Sequence, residues 1–221
     1  MVALSSVPSR PSSGSRPSRL LPPITQALLG LNIIGFALQE MFGHWVMAYF
    51  ALWPPFSSAG PGDAVPFELW QLVTYAFLHG SLTHLLFNML GLWMLGRQVE
   101  STFGSKRYLQ YYFLCVVTAA LAQIAVIGLT DQEPFPTVGA SGGVFGLLLA
   151  FGVLFPRQRV VLLFPPIPMQ ARTFVTIYGI VELVLGVTGT QSGVAHFAHL
   201  GGLVGGFFLL QYWRGRWPFR R

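Results

Sequence analysis

Four polar side chains that suit acyl-transfer chemistry lie inside hydrophobic stretches of the sequence: Ser141, His199, His84 and Asn88. A serine hydroxyl is a weak nucleophile until a neighbouring histidine accepts its proton. A second imidazole and an amide can donate hydrogen bonds to the oxyanion that forms during such a reaction. The free backbone N–H groups at the start of a helix can do the same. These residue types therefore point to serine-hydrolase chemistry.

Ser141 lies where irregular backbone gives way to a hydrophobic helix that carries no charge before Arg157. Small residues around the serine leave its hydroxyl open and allow a second backbone to come close: Gly139, Ala140, Gly142, Gly143 and Gly146. The alternative is that Ser141 is only a helix N-cap, a position at which serine is common. Phe145 follows one helical turn later on the same face and is a candidate to pack against a histidine ring.

No acidic residue stands at an obvious position for the third member of a Ser–His–acid triad. Glu40 lies at the end of the first apolar stretch, and Glu182 is the only acid well inside one. We therefore expect a Ser–His dyad whose imidazole is oriented by packing. Because an unpaired charge in a membrane is expensive, we expect Glu182 to be protonated or bonded to a neighbouring helix. On this structural interpretation, Glu182→Gln keeps most activity.

Metal binding is the competing use of histidine, because imidazole is a common metal ligand. The candidate ligands are His79, His84, His196 and His199. The sequence has no His-Glu-x-x-His pattern and no pair of acids near these residues. We therefore predict no metal and no other cofactor.

The composition indicates a membrane protein, since charged residues make up 9% of the chain and hydrophobic residues 53%. A soluble domain carries about 25% charged residues. Hydrophobic stretches recur, and about 20 residues suffice for a helix to cross a bilayer core of about 30 Å. We predict an all-α bundle of six transmembrane helices over residues 23–213, between a disordered tail, 1–22, and a basic tail, 214–221. The predicted spans cover approximately 24–41, 72–95, 108–129, 141–155, 173–187 and 194–213.

The charges alternate along the chain and predict its topology. All 13 Lys and Arg residues fall in the two tails or in the links near 97–107 and 157–172. The other links carry acids instead, namely Asp63, Glu68, Asp131 and Glu133. By the positive-inside rule both termini are cytoplasmic. The net charge of +6 then follows from topology and from contact with anionic lipid, so no nucleic-acid partner is expected.

The connection at 42–67 is too aromatic for a plain solvated loop, and we expect part of it to lie in the headgroup region.

The predicted topology places the four polar residues at overlapping depths, from the outer half of the membrane to its midplane. His199 lies roughly 6–9 Å below the start of the sixth span, at about 1.5 Å per residue. His84 and Asn88 are four residues apart on one helix face, near the middle of the second span. Polar residues that converge inside a membrane are a functional hypothesis by default.

Four short motifs follow one another in a fixed order around these residues. Residues 79–88 fit H-x-x-x-x-H-x-x-x-N, and residues 100–107 fit E-x-x-x-G-x-x-R. Residues 139–142 fit G-x-S-G, and residues 198–206 fit A-H-x-x-G-x-x-x-G. Together they resemble the rhomboid family of intramembrane serine proteases. G-x-S-G alone is a weak signal, whereas the motifs in order make the resemblance specific.

The resemblance implies a six-helix rhomboid-like bundle whose active site opens outward. It implies Ser141 as nucleophile and His199 as general base, with His84, Asn88 and the Ser141 N–H as the oxyanion hole. We expect Phe145 to pack against the dyad together with Gly139 and Gly202. The implied activity is cleavage of transmembrane segments of membrane-protein substrates near the outer face. The resemblance also implies substrate entry beside the fifth helix and a location in a bacterial inner membrane; the oligomeric state is not predicted.

Two positions depart from the family pattern. Members often have Trp-Arg where this chain has Trp70 and Gln71, and some have Tyr where it has Phe145. Ring stacking survives the second change, although a hydroxyl hydrogen bond does not.

The main alternative function is that of an inactive rhomboid-like chaperone or trafficking factor. A transporter or channel would show repeats or a row of pore-lining polar residues, and the sequence shows neither.

Overall fold

The computed structural model describes residues 21–55, 67–130, 135–161, 167–189 and 194–215. The predicted tails lie almost wholly outside these ranges, as do residues 57–62 and the link acids Asp63, Asp131 and Glu133. The described chain is mostly helical, which confirms that part of the predicted fold class. Its helices are α1 (Pro23–Phe42), α2 (His44–Phe50), α3 (Gln71–Thr74), α4 (Leu82–Gly91), α5 (Arg97–Phe103), α6 (Ser105–Leu129), α7 (Ser141–Leu154), α8 (Ala171–Thr188) and α9 (His196–Trp213).

A small antiparallel hairpin was not predicted, and it departs from a strictly all-α fold. Its strands are β1 (Arg159–Val161) and β2 (Pro168–Gln170), with Val160 paired to Met169. Adjacent valines suit an extended strand. The hairpin lies between α7 and α8 in the chain, and the partly buried Val160 packs against the core.

The predicted second span is wrong at both ends. A 3₁₀ turn (Tyr75–Phe77) follows α3, and the helix begins again only at Leu82. Ser81 has extended backbone, and its side chain accepts a hydrogen bond from the His84 N–H at 3.1 Å, so it is a helix N-cap. From there α4, a π-helical turn (Leu92–Gly96) and α5 continue without a break. An average of hydrophobicity does not detect a cap, which is why the predicted helix begins too early. It ends too soon because the continuing helix carries the charged Arg97 and Glu100.

The core is formed where α6 packs against both α7 and α9. Tyrosines on α6 are fully buried, and the Tyr111 hydroxyl donates to the Gly146 carbonyl at 2.8 Å, which joins α6 to α7. A Cβ placed on Gly202 would collide with the backbone of Gly142, so α7 and α9 approach at glycine. The close approach predicted from the glycine spacing is present.

Two polar side chains, the buried Glu100 and the partly buried Gln39, hold α1 against the rest of the molecule. The Glu100 carboxylate accepts hydrogen bonds from the backbone N–H groups of Ile24, at 3.0 Å, and Thr25, at 2.7 Å. At the other end of α1, Gln39 exchanges hydrogen bonds with the backbone of His79, donating at 2.7 Å and accepting at 3.0 Å. The loop that precedes α4 is thereby fixed in place.

Among the described residues, α6 and α8 are the helices long and apolar enough to cross a membrane by the combined criteria of length, hydropathy and charge. Helix α7 is apolar but shorter. Much of the outer surface is apolar, and α8 contributes many of its exposed side chains, including Leu183 and Val184. Of the residues of α8, only Ala171 and Glu182 are buried.

Candidate active site

Ser141 and His199 are joined by a hydrogen bond. The Ser141 Oγ lies 2.8 Å from the Nε2 of His199, although the residues are 58 positions apart. Ser141 is the first residue of α7, and Ala140 occupies the N-cap position with no side-chain cap. The alternative that Ser141 is only an N-cap therefore does not describe the structure. Its hydroxyl faces α9 instead.

Phe145 fixes the plane of the His199 ring. The two rings are stacked, with centroids 4.3 Å apart and an interplanar angle of 6°. Phe145 lies one turn after Ser141 on α7, so one helix supplies both the hydroxyl and the aromatic surface. Gly202, one turn after His199 on α9, leaves the space that lets the two helices meet.

Glu182 completes a chain of hydrogen bonds that the sequence did not predict. Its Oε2 lies 2.9 Å from the Nδ1 of His199 and 2.7 Å from the Nδ1 of His196. An ionised carboxylate can only accept, so each Nδ1 donates to it. The Nε2 of His199 is then the unprotonated nitrogen that accepts from Ser141. The expectation that no acid is placed beside the dyad is wrong, whereas the expected bond to a neighbouring helix is present.

His84 lies beside Gly139 of the turn that leads into Ser141. Gly139 has a positive φ of 128°, and a Cβ on it would lie 2.8 Å from the Cε1 of His84 and 3.6 Å from the Ser141 Oγ. Only glycine suits both this backbone conformation and this contact. The imidazole of His84 therefore covers the turn that leads into Ser141. This placement fits the expected role of Gly139 in packing around the site.

Asn88 is less directly connected to Ser141. Its Nδ2 donates to the backbone carbonyl of His84 at 3.0 Å, within the same helix. Among the described residues, its side chain makes no hydrogen bond to Ser141 or His199. The amide has a second N–H, and Asn88 is almost fully buried, at 5% exposed. Because His84 and Asn88 lie in the first two turns of α4, both are nearer the helix start than predicted.

The four histidines considered as metal ligands fall into two groups. His79 and His84 pack edge to face, with ring centroids 5.1 Å apart, and neither ring nitrogen of the buried His79 has a hydrogen-bond partner among the described residues. His196 and His199 lie with Glu182, and one ligand atom from each of these three residues lies within 4.8 Å of the others. Glu182 and these histidines could hold a metal ion, a grouping that the sequence did not predict.

The family is decided by comparison with known sequences. A family model described as a Rhomboid domain matches residues 66–215. The chain belongs to the rhomboid family. The match covers every residue assigned above to the site, and the resemblance inferred from the motifs is confirmed.

Curated relatives agree with this assignment. Rhomboid protease GluP of Bacillus subtilis is 32% identical over 193 residues, which cover 85% of this chain and 34% of that protein. Rhomboid protease GlpG of Serratia proteamaculans is 30% identical over 195 residues, or 88% of this chain and 63% of that protein. This rhomboid thus matches about a third of the length of the first relative and somewhat less than two thirds of the length of the second. Family and apolar helices together make it an integral membrane protein.

Proposed function

We propose that this rhomboid is an intramembrane serine endopeptidase that cleaves transmembrane segments of membrane-protein substrates. The observation that carries the proposal is the 2.8 Å hydrogen bond between the Ser141 Oγ and the His199 Nε2 within an apolar helical bundle. A nucleophile and a base within hydrogen-bond reach are the signature of covalent catalysis by serine. Relatives named rhomboid proteases support the same reaction class.

His199 acts first as general base and then as general acid. It takes the proton from Ser141 as the Oγ attacks the scissile carbonyl, and it gives that proton to the leaving amine. The acyl-enzyme that results is released by water in a second, equivalent cycle. Stacking on Phe145 keeps the imidazole in the plane from which the Nε2 reaches the hydroxyl.

The oxyanion that forms is stabilised by donors from two helices. The Ser141 N–H belongs to the first turn of α7, whose N–H groups have no partner within the helix. His84 approaches from α4 over Gly139, and Asn88 lies one turn further along α4 with an N–H to spare. Preorganised donors of this kind supply a large part of catalysis in acyl-transfer enzymes.

The proposed membrane arrangement is the six-span topology with both termini cytoplasmic. The crossing helices are α1, the continuous α4–α5 helix, α6, α7, α8 and α9. Residues 23–213 form the membrane domain, and the tails 1–22 and 214–221 face the cytoplasm. Ser141 and His199 each stand near the start of a helix that begins outside, so cleavage occurs near the outer face. A bacterial inner membrane is the proposed location, and the exposed α8 is the proposed side for substrate entry.

The experiment is cleavage of a model single-span substrate by the purified protein in liposomes. We expect the wild type to cleave and Ser141→Ala to be inactive. Ser101→Ala is the matched control, because the one hydrogen bond that this exposed serine makes within the described part of the chain is to the Arg97 carbonyl of its own helix, at 2.7 Å. A wild-type protein that is folded yet does not cleave would favour the alternative of an inactive chaperone or trafficking factor. Equal cleavage by Ser141→Ala would contradict the assigned nucleophile.

A further inference from the structure

Glu182 is a buried carboxylate on a helix that otherwise faces outward. It is 8% exposed, whereas its neighbours Leu183 and Val184 are about half exposed. An acid in a membrane helix is expensive unless it is paired. Packing α8 against α9 would require only an apolar residue at this position. The acid therefore points to a role in the chemistry of the residues that it contacts.

We propose that Glu182 is a positioning residue for His199, so that Ser141, His199 and Glu182 act together as a triad rather than a dyad. The inference rests on the proposed protease function and deepens it. Glu182 touches neither Ser141 nor the substrate and acts through the imidazole. It replaces the expectation from the sequence that Glu182→Gln keeps most activity.

The first effect of Glu182 is on the tautomer of His199. With the Nδ1–H donated to the carboxylate at 2.9 Å, the proton cannot reside on the Nε2 of the neutral ring. The neutral ring is therefore protonated on the Nδ1, and only this tautomer has a free Nε2 that can accept a proton from Ser141. Phe145 stacks on the ring face and fixes its plane, but a face contact does not choose between the two tautomers. Phe145 thus fixes the plane of the ring, whereas the Glu182 carboxylate selects its tautomer.

The second effect is on the charge that develops during the reaction. As the Oγ–C bond forms, the Ser141 O–H bond breaks and its proton moves to the Nε2, while the carbonyl π electrons move to oxygen. His199 becomes an imidazolium with both nitrogens protonated. The carboxylate, which is not itself protonated, offsets this positive charge in apolar surroundings. Transfer of the same proton to the leaving amine returns His199 to its neutral form.

His196 holds the carboxylate in position. Its Nδ1 donates to the same Oε2 at 2.7 Å, slightly closer than His199. Because His196 and His199 both belong to the first turn of α9, the two bonds attach Glu182 to that turn and fix its rotamer. The carboxylate of α8 is thereby aligned with the Ser141–His199 pair.

The test compares two changes at one position that separate charge from shape. Glu182→Gln keeps the shape and removes the charge, whereas Glu182→Asp keeps the charge and shortens the side chain. The matched control is Glu100→Gln, since Glu100 is also a buried carboxylate but binds the start of α1 and, among the described residues, makes no hydrogen bond to Ser141 or His199. For each variant in liposomes we would measure kcat, KM, the rate of labelling by a fluorophosphonate and the melting temperature.

We expect Glu182→Gln to lower kcat and the labelling rate on the order of 10²- to 10⁴-fold, the larger figure being that for the equivalent Asp→Asn change in a serine-protease triad. KM should be unchanged, because substrate binding does not involve the imidazole charge. Glu182→Asp should keep more activity than Glu182→Gln. Glu100→Gln should lower the melting temperature and leave the labelling rate of the folded protein unchanged.

Three outcomes would overturn the positioning role. One is wild-type kcat in Glu182→Gln, and another is Glu182→Gln being more active than Glu182→Asp, as a purely structural role predicts. The third is loss of wild-type turnover on chelation with recovery on adding Zn²⁺, because a metal would then occupy the Nδ1 atoms. If the wild type itself neither cleaves nor labels, the proposed function fails and the triad fails with it.

Discussion

Ser141 and His199 meet because two helices begin at neighbouring points, each with its reactive residue in the first turn. The hydroxyl and the imidazole are then fixed by backbone rather than by long side chains. Phe145 and Glu182 constrain the remaining freedom of the His199 ring, one by stacking and the other by a hydrogen bond. Each of these residues has a different role, so we expect their variants to lose different amounts of cleavage activity.

The first prediction ranks the variants of the site. Ser141→Ala should have no turnover, and His199→Ala should be nearly as inactive, because the proton then has no acceptor. His84→Ala and Asn88→Ala should each keep more activity, since other oxyanion donors remain. Removal of one such donor lowers kcat by about 10²–10³, or about 3–4 kcal/mol. Single-turnover cleavage rates check the order, which a folded but fully inactive Asn88→Ala would contradict.

The second prediction concerns Phe145. Phe145→Tyr should keep most activity because the stacked ring remains, whereas Phe145→Ala frees the imidazole. A misplacement of about 1 Å can lower a rate about 10²-fold, and we expect a kcat loss of that order for Phe145→Ala. The comparison of kcat for the two variants checks the role of stacking. Equal activity would show that the carboxylate alone orients His199.

The sequence predicted the serine, the histidines and the asparagine because short motifs carry them, but it could not predict the contacts of Glu182. Its position inside a hydrophobic stretch was visible from the sequence. The residues that it contacts were not visible, because the contacts depend on how α8 is rotated about its own axis where it packs against α9. Helix α8 exposes apolar residues around most of its circumference, so no polar face in the sequence revealed the rotation.

At the scale of helices, hydrophobic length predicted the positions of α1, α6, α7, α8 and α9 to within a few residues. It failed for the second span, where the chain leaves a helix after Phe77 and starts another after the Ser81 cap. That break matters because it brings His84 into the first turn of α4. The local signals were Gly80 and Ser81, which a hydrophobic average ignores.

The third prediction tests the contact between α7 and α9. Gly202→Ala should press its methyl group against the backbone of Gly142 and separate Ser141 from His199. Overpacking of this kind costs about 1–3 kcal/mol, and we expect both the melting temperature and the cleavage rate to fall. Gly30→Ala is the matched control, because a Cβ there meets nothing within 4 Å. A fully active Gly202→Ala would show that the close approach is not required.

At the scale of the whole molecule, the exposed apolar surface and the charge pattern describe one arrangement in a membrane. Large hydrophobic side chains are exposed on α1 and α8, where a lipid environment would cover them. The basic residues lie in the tails and in two alternate links. Both features are properties of the entire chain, so they bear on topology and not on the chemistry of Ser141.

The fourth prediction concerns topology. After replacement of Cys115 by Ala, single cysteines at Ser6 and Phe219 should resist an impermeant maleimide in intact cells, since both tails are proposed to be cytoplasmic. A cysteine at Ser58 should react. Permeabilised cells are the control, in which all three positions should be labelled. Reaction of either tail in intact cells would contradict the six-span topology.

The fifth measurement is the site of covalent labelling by a fluorophosphonate, located by mass spectrometry of the folded protein. If His199 activates Ser141 as proposed, the adduct lies on Ser141, and Ser141→Ala abolishes it. His199→Ala should slow labelling strongly, while Ser101→Ala should label at the wild-type rate. An adduct that forms on another residue, or that persists in Ser141→Ala, would contradict the assignment of Ser141 as the nucleophile.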